Sequence, residues 1–264
     1  MPIGAFNVSG SLAKQIFISI LGTPDLHTHI RLSPICSFFT KFCKRVTNDS
    51  ISVIELGCSR GIVGYELAKL SAKYHKQFIY TGIDINNTSI NSAKALLKNN
   101  LHGGNMQFIC DDATQYLKRN CQITADIILF VDIIEHVCDC KALVDLAIQR
   151  LHAGGVAVVS VPTPNYPRIF GRRFHEKIGH LVEGYTIQEI DSLFKAPSIC
   201  MRVSVIYNTG IFAKYGCWLF YNVFSVNNKY LNLLKSLLLY PFRLLDVINS
   251  PTISCSMFTL YEKI

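Results

Sequence analysis

The sequence lacks any regular cysteine motif, although it contains ten cysteines. No CxxC spacing occurs, and the one CxC pair is formed by Cys138 and Cys140. This scatter provides neither the ligand spacing of a zinc knuckle nor the framework of a disulfide-rich secreted domain. We therefore expect reduced thiols and a cytoplasmic location, and we predict no metal site.

Long apolar runs are missing as well. The apolar stretch at residues 16–21 is closed by Gly22 and Pro24, so it is too short to span a bilayer and has no convincing cleavage site. The stretches 211–224 and 230–248 are interrupted by lysine, arginine and proline, and each is under 20 residues. We expect neither export nor a membrane-spanning helix.

Charged residues are scarce at 17%, whereas apolar residues make up 50% of the chain. A chain of 264 residues with this composition can bury a sizeable core and still expose apolar surface to a partner or a membrane. The formal net charge of +8 suits nucleic acid, an anionic lipid surface or a phosphorylated substrate. Charge alone does not choose among these partners.

Strands and helices alternate from residue 50 onward. Strands are predicted at 51–56, 78–83, 106–110, 125–131 and 155–161, and helices at 62–74, 88–100, 113–119 and 139–152. A helix at 186–194 and strands at 201–207 and 256–262 follow. The alternation predicts an α/β fold with a parallel sheet that is covered by helices on both faces.

The chain divides into a helical prefix at 1–49, punctuated by Pro24 and Pro34, and a main domain at 50–264. Two segments interrupt the main domain. Residues 166–184 form a basic loop insertion with His175 and His180, and residues 211–250 form an apolar helical insert between the last two strands.

Two glycines in the stretch VIELGCSRGIVGYELAK, Gly57 and Gly61, lie between the first strand and the first helix of the main domain. Glycine there allows a tight turn and leaves room for a ligand at the carboxyl ends of the strands. Asp84 and the pair Asp111 and Asp112 follow the next two strands. Such an acid is commonly a helix cap, but acids at successive strand ends can bind the ribose and the adenine of a nucleoside.

Four stretches together resemble class I S-adenosylmethionine-dependent methyltransferases, most closely the group with quinone-biosynthesis and small-molecule enzymes. They are ELGCSRG at 55–61, GID at 82–84, DDA at 111–113, and AD at 125–126 with DIIEHV at 132–137. A weaker match is RLHAGG at 150–155, and the resemblance covers about residues 50–165. Ser59 departs from the family's middle glycine, and this also disfavours a dinucleotide fingerprint.

The resemblance implies a Rossmann-like seven-stranded sheet and S-adenosyl-L-methionine as the cofactor. Glu55 and Gly57 would hold the methionine end, Asp84 the ribose and Asp112 the adenine. The full set of cofactor-binding residues predicted in this way is Glu55, Gly57, Cys58, Ser59, Gly61, Asp84, Ile85, Asp111, Asp112, Ala113, Phe130 and Val131.

His136 and His180 are the candidate catalytic residues. An imidazole suits a general base near neutral pH, although His136 could instead pack or cap a helix. His180 resembles a histidine in the matching loop of related enzymes, and the alternative is a solvated basic loop. Glu135 could orient a base or, as the resemblance to some quinone enzymes of the family implies, bind a metal, but a carboxylate is favourable at a helix N-terminus without any ligand.

The predicted function is methyl transfer to a small acceptor that is lipid-like or lipid-linked, at oxygen first and at carbon second. The apolar insert at 211–250 fits an interfacial contact with an anionic membrane, a cover over the active site, or the interface of a homodimer. One alternative is an RNA or protein methyltransferase, although DIIE stands where amine-methylating enzymes of nucleic-acid bases carry Asn-Pro-Pro-Tyr. The other is a non-catalytic protein that retains the fold.

Overall fold

The structure is a computed structural model that describes residues 26–98, 105–166, 179–194, 200–219, 238, 241–242, 245–246 and 248–264. Seven strands and seven α-helices lie in these ranges. The strands are β1 (Ser50–Leu56), β2 (Gln77–Asp84), β3 (Asn105–Cys110), β4 (Ala125–Val131), β5 (Leu151–Pro162), β6 (Cys200–Asn208) and β7 (Ser256–Lys263). The helices are α1 (Leu26–Arg45), α2 (Ile62–Lys73), α3 (Asn87–Lys98), α4 (Ala113–Arg119), α5 (Cys140–Arg150), α6 (Ile187–Phe194) and α7 (Ile211–Trp218).

All seven strands form one sheet in the order β3-β2-β1-β4-β5-β7-β6. Strands β1 to β5 pair in parallel, and β7 is antiparallel to both β5 and β6. This architecture confirms the predicted Rossmann-like methyltransferase sheet. Because β1 to β4 are parallel neighbours, their carboxyl ends share one edge, where ligands of such folds bind.

Apolar side chains cover both faces of the sheet. On one face, α4, α5 and α6 pack against residues such as Ile54 and Phe130. On the other face, α1, α2 and α3 pack against residues such as Val53 and Tyr80. Nearly continuous apolar strands, for example β4, are explained by this double coverage.

Helix α1 completes the core on the second face, although it precedes the sheet in sequence. Its residues Ile35, Phe39 and Phe42 are buried, and the Phe39 ring meets Phe78 of β2 edge-on at 5.9 Å between centroids. The prediction that Pro34 interrupts the prefix is wrong, because Pro34 lies inside α1. Burial of the residues after Pro34 offsets the backbone hydrogen bond that the proline removes.

Two predicted insertions lie largely outside the described residues. Of the basic loop, the structure describes only residue 166 and residues 179–184, so His175 lies outside them. Of the apolar insert it describes α7 and a few later residues. Among the residues that the structure does describe, no helix combines the length and apolar character needed to cross a bilayer. None of the ten cysteines forms a disulfide.

Candidate active site

The loop between β1 and α2 is tied to the end of β2 by backbone hydrogen bonds. The Gly57 and Cys58 amides both donate to the Ile83 carbonyl, at 2.8 and 3.0 Å. Gly57 and Gly61 have φ of +72° and +73°, and Ser59 has φ of +47°. Three left-handed residues within five positions therefore fold the loop back over the strand end, a conformation that glycine adopts at little cost.

Asp84 fastens this loop from the end of β2. One carboxylate oxygen accepts the Ser59 amide at 2.8 Å, and the other accepts the Asn86 amide at 2.7 Å. The Asp84 carbonyl accepts the Asp111 amide at 3.1 Å, which brings the end of β3 alongside. The ends of β1, β2 and β3 thus meet at Asp84, and each of its carboxylate oxygens has a second lone pair for a ligand hydroxyl.

The two acids after β3 have structural partners. Asp112 caps α4 by accepting the Gln115 amide at 2.8 Å, and Asp111 forms an ion pair with Arg119. The role of Asp112 matches the helix-cap alternative, and contact of either acid with adenine stays a prediction. Ile85 is 74% exposed directly after Asp84, and an apolar side chain in that position can pack against a nucleoside base.

Glu55 is only 2% exposed, and the Tyr80 hydroxyl donates a hydrogen bond to its carboxylate. Burial raises the pKa of Glu55 to about 8, although the Tyr80 hydrogen bond opposes this shift. Glu55 is therefore mostly protonated at neutral pH. Its predicted role at the methionine end of the cofactor remains a prediction.

Phe130 and Val131 end β4 with different surroundings. Phe130 is fully buried, and its ring meets Phe194 of α6 edge-on at 5.5 Å between centroids. Side chains alternate between the faces of a strand, so the Phe130 ring points into the layer that contains α6, and its predicted contact with the cofactor stays a prediction. Val131, which is half-buried, is the side chain of this pair that lies at the strand end.

Beyond β4 the chain turns sharply at Asp132, which has φ of +50° and forms an ion pair with Arg31 of α1. Its amide donates to the Ser160 carbonyl at 2.9 Å, which fixes the turn against β5. A short 3₁₀ turn, Ile134–His136, follows and presents Glu135 and His136 at the carboxyl edge.

Residues 179–181 pair with this turn and bring the two candidate histidines together. His136 Nδ1 lies 3.0 Å from the Gly179 carbonyl oxygen, and the Leu181 amide donates to the Glu135 carbonyl at 2.8 Å. The His136 and His180 rings meet edge-on with centroids 4.7 Å apart, and Tyr166 stacks on His180 at 5.7 Å. The sequence placed these histidines in separate motifs, whereas the structure makes them one cluster.

Glu135 precedes His136 in this turn and is 1% exposed. Burial raises the pKa of its carboxyl, and the charge of Arg31 opposes the shift. One ligand atom from each of Glu135, His136 and His180 lies within 4.8 Å of the others, so these three residues could hold a metal ion. Sequence reasoning missed Arg31 and Tyr166, because no pattern near either residue relates it to the histidines.

The sheet order, the left-handed loop after β1 and the acid at the end of β2 define a class I, nucleoside-binding α/β enzyme fold. A family model described as "Methyltransferase domain" matches residues 47–204. The chain belongs to this family and is an S-adenosylmethionine-dependent methyltransferase. Comparison with curated protein sequences gives no significant match.

Solved structures with the same fold share little sequence with this chain. The plantazolicin methyltransferase BamL, in complex with a triazolic desmethylPZN analog and SAH, is 17% identical with a TM-score of 0.59, over 94% of this chain and 88% of that one. Coclaurine N-methyltransferase, bound to N-methylheliamine and SAH, is 15% identical with a TM-score of 0.54, over 85% and 72%. The [4+2]-cyclase SpnF is 10% identical with a TM-score of 0.55, over 86% and 81%. At these identities the likeness shows the fold alone.

Proposed function

We propose that the protein transfers the methyl group of S-adenosyl-L-methionine to a hydroxyl oxygen of a small acceptor that is apolar or lipid-linked. The observation that carries this proposal is the pairing of His136 and His180 just beyond β4, at the edge where the glycine loop and Asp84 lie. A hydroxyl must lose its proton during methyl transfer, whereas a neutral amine can attack through its free lone pair. Two adjacent imidazoles therefore favour oxygen, with an activated carbon as the second choice.

His136 is the proposed base, and the geometry supports one tautomer. If Nδ1–H donates to the Gly179 carbonyl at 3.0 Å, Nε2 carries the lone pair that accepts the acceptor's proton. His180 lies beside it and is the second candidate. We propose that S-adenosyl-L-methionine contacts Asp84 with its ribose and Asp112 and Ile85 with its adenine. Its methionine end contacts the loop from Gly57 to Gly61.

Replacing His136 or His180 by asparagine should lower kcat by about 10²- to 10⁴-fold, as expected for a lost general base. The affinity for S-adenosylhomocysteine should change by less than about twofold, because neither imidazole ring is among the residues proposed to contact the cofactor. Transfer of a labelled methyl group can be measured to an alkylphenol, to the alkylaniline of the same chain length and to an RNA oligonucleotide.

The matched control is His75→Asn, which alters an exposed histidine at the far end of α2, where φ is +55° and asparagine is tolerated. Transfer to the aniline or to RNA in preference to the phenol would contradict the oxygen assignment. Binding of S-adenosylhomocysteine with no transfer to any substrate would instead favour a binding protein that retains the fold.

The apolar acceptor is supported by the exposed face of α7. Ile211, Tyr215 and Trp218 are exposed at a spacing that places them on one side of the helix. A basic chain with exposed aromatic and aliphatic side chains suits the interface of an anionic membrane. We therefore include peripheral membrane association in the proposal. The alternatives are a cover over the site and a homodimer interface.

The protein should co-sediment with phosphatidylglycerol-containing vesicles more than with phosphatidylcholine vesicles, because the net charge is +8. Changing Ile211, Tyr215 and Trp218 together to serine should reduce the bound fraction several-fold. The control is Met201→Ser with Val203→Ser, which removes exposed apolar side chains from the edge strand β6. Equal loss in the two variants, or no loss in either, would refute a membrane role for α7.

A further inference from the structure

We propose that Glu135, His136 and His180 form a binding site for one divalent first-row transition ion, with Zn²⁺ as the best match. Their ligand atoms already lie within 4.8 Å of one another. Ligands at about 2.0–2.2 Å from a tetrahedral ion are roughly 3.4 Å apart, so small side-chain rotations would close the site. Sequence analysis predicted no metal site, because the cysteines show no ligand spacing and a carboxylate such as Glu135 is favourable at a helix N-terminus without a ligand.

The surroundings of His136 and His180 resemble those of metal-binding histidines. A ligating imidazole normally donates its other ring N–H to a carbonyl or carboxylate, which fixes the tautomer and the ring orientation. The Gly179 carbonyl lies 3.0 Å from His136 Nδ1 and leaves Nε2 for the ion. The Leu181 amide bonds to the Glu135 carbonyl, so the residues on both sides of His180 are fixed to the segment that carries the other two ligands.

The Glu135 carboxylate provides evidence for a bound cation that does not depend on the positions of the histidines. It is 1% exposed, and neither oxygen has a hydrogen-bond partner among the described residues. Burying a polar group without a partner costs several kcal/mol, and a buried charge costs more unless it is paired or binds a metal. Arg31 lies close enough to affect Glu135, but its ion pair is with Asp132. A cation bound to the carboxylate accounts for its position.

The donor set narrows the choice of ion. Two imidazoles with one carboxylate suit Zn²⁺ and its first-row neighbours, whereas Mg²⁺ and Ca²⁺ prefer oxygen ligands. Three protein ligands leave one position of a tetrahedral ion open, as in catalytic zinc sites. His136 is exposed, so this side of the cluster is accessible to an incoming molecule.

If the proposed function is correct, the acceptor hydroxyl occupies the open position. A bound cation lowers the pKa of a coordinated hydroxyl, so its proton can leave to solvent before transfer. The resulting oxygen anion then attacks the methyl carbon, the carbon–sulfur bond breaks, and the sulfonium becomes a neutral thioether. In this ion-bound form His136 and His180 would be ligands, and the role of His136 as the base applies to the ion-free protein.

The test uses chelator-treated full-length protein titrated with Co²⁺, without donor or acceptor. We expect one Co²⁺ per chain and visible d–d bands typical of nitrogen and oxygen ligands. Zn²⁺ should displace the Co²⁺ and raise the melting temperature, since an ion that binds only the folded state stabilises it. Glu135→Gln and His180→Asn should each weaken Co²⁺ binding by about tenfold or more, whereas His75→Asn should leave it unchanged.

Ten cysteines without disulfides make thiolate binding the main competing outcome. A strong ultraviolet charge-transfer band, or Co²⁺ binding that both ligand variants retain, would overturn the inference, and so would no binding. Glu135→Gln removes a buried charge, so its fold is checked by S-adenosylhomocysteine binding. His180→Asn changes a half-buried residue and keeps the test valid if Glu135→Gln fails to fold. Wild-type protein that transfers the methyl group but binds no Co²⁺ would overturn only the ion site. Wild-type protein that binds Co²⁺ as expected but does not methylate the alkylphenol would overturn only the acceptor assignment.

Discussion

Replacing Asp84 by alanine should weaken the binding of S-adenosylhomocysteine by at least about 100-fold. Two effects combine in this variant. The cofactor loses a carboxylate acceptor for its ribose hydroxyls, and hydrogen bonds to charged groups are each worth about 1.5–3 kcal/mol. The Ser59 amide also loses its 2.8 Å bond to that carboxylate, so the loop from Gly57 to Gly61 is released from the end of β2. Isothermal titration calorimetry measures the change directly.

Two further variants separate these effects. Asp84→Asn keeps one acceptor oxygen but places an amide N–H₂ against a backbone N–H, so its affinity should fall between alanine and wild type. Asp145→Ala removes a carboxylate of α5 that pairs with Lys141, away from the strand ends, and should leave the affinity unchanged. A folded Asp84→Ala variant that binds within about twofold of wild type would remove Asp84 from the cofactor site.

The order of elements in the main domain follows from periodicity alone. The predicted strand at 125–131 coincides with β4, and the other strand boundaries differ by only a few residues. Strands that are covered on both faces read as apolar runs, and glycine marks the turn after β1, so these signals are local. The antiparallel pairing of β7 with β5 and β6 is not local, because it depends on where the chain returns after the apolar insert.

The candidate site was predictable where its residues are adjacent in sequence. Strand-end acids and the glycine loop stood out because each follows an apolar run. The histidine cluster was not predictable from the sequence. His180 meets His136 only because two backbone segments pair, and no short pattern encodes that pairing. Arg31 lies farther still, on a helix that precedes the sheet, and reaches Asp132 only because α1 packs over the same edge.

The sequence motifs also did not predict the direction in which side chains point. The family resemblance transferred Phe130 to the cofactor site, yet its ring packs on Phe194 in the core. Gly57 and Gly61 were expected to leave space for a ligand. A Cβ added to Gly57 would lie 3.0 Å from Ile133, and one added to Gly61 would lie 2.5 Å from Phe108. The absence of these side chains therefore also permits packing within the protein.

Gly61→Ala should lower the free energy of unfolding by about 2–5 kcal/mol. Its φ of +73° costs an alanine about 1–2 kcal/mol, and the clash with the Phe108 ring at 2.5 Å adds an overpacking cost of about 1–3 kcal/mol. Urea denaturation followed by fluorescence or circular dichroism measures the loss. Because Gly61 begins α2 and closes the loop, affinity for S-adenosylhomocysteine should fall in parallel.

Gly154 provides the matched control for this prediction. Its φ of +74° is nearly the same, but nothing lies within 4 Å of an added Cβ, so Gly154→Ala carries the backbone strain without the clash. The difference between the two variants isolates the contact with Phe108. Adding Phe108→Leu should recover part of the stability of Gly61→Ala once the cost of Phe108→Leu alone is subtracted. Equal destabilisation by the two alanine variants would show that backbone strain alone requires glycine at position 61, and that Phe108 yields to an added methyl group.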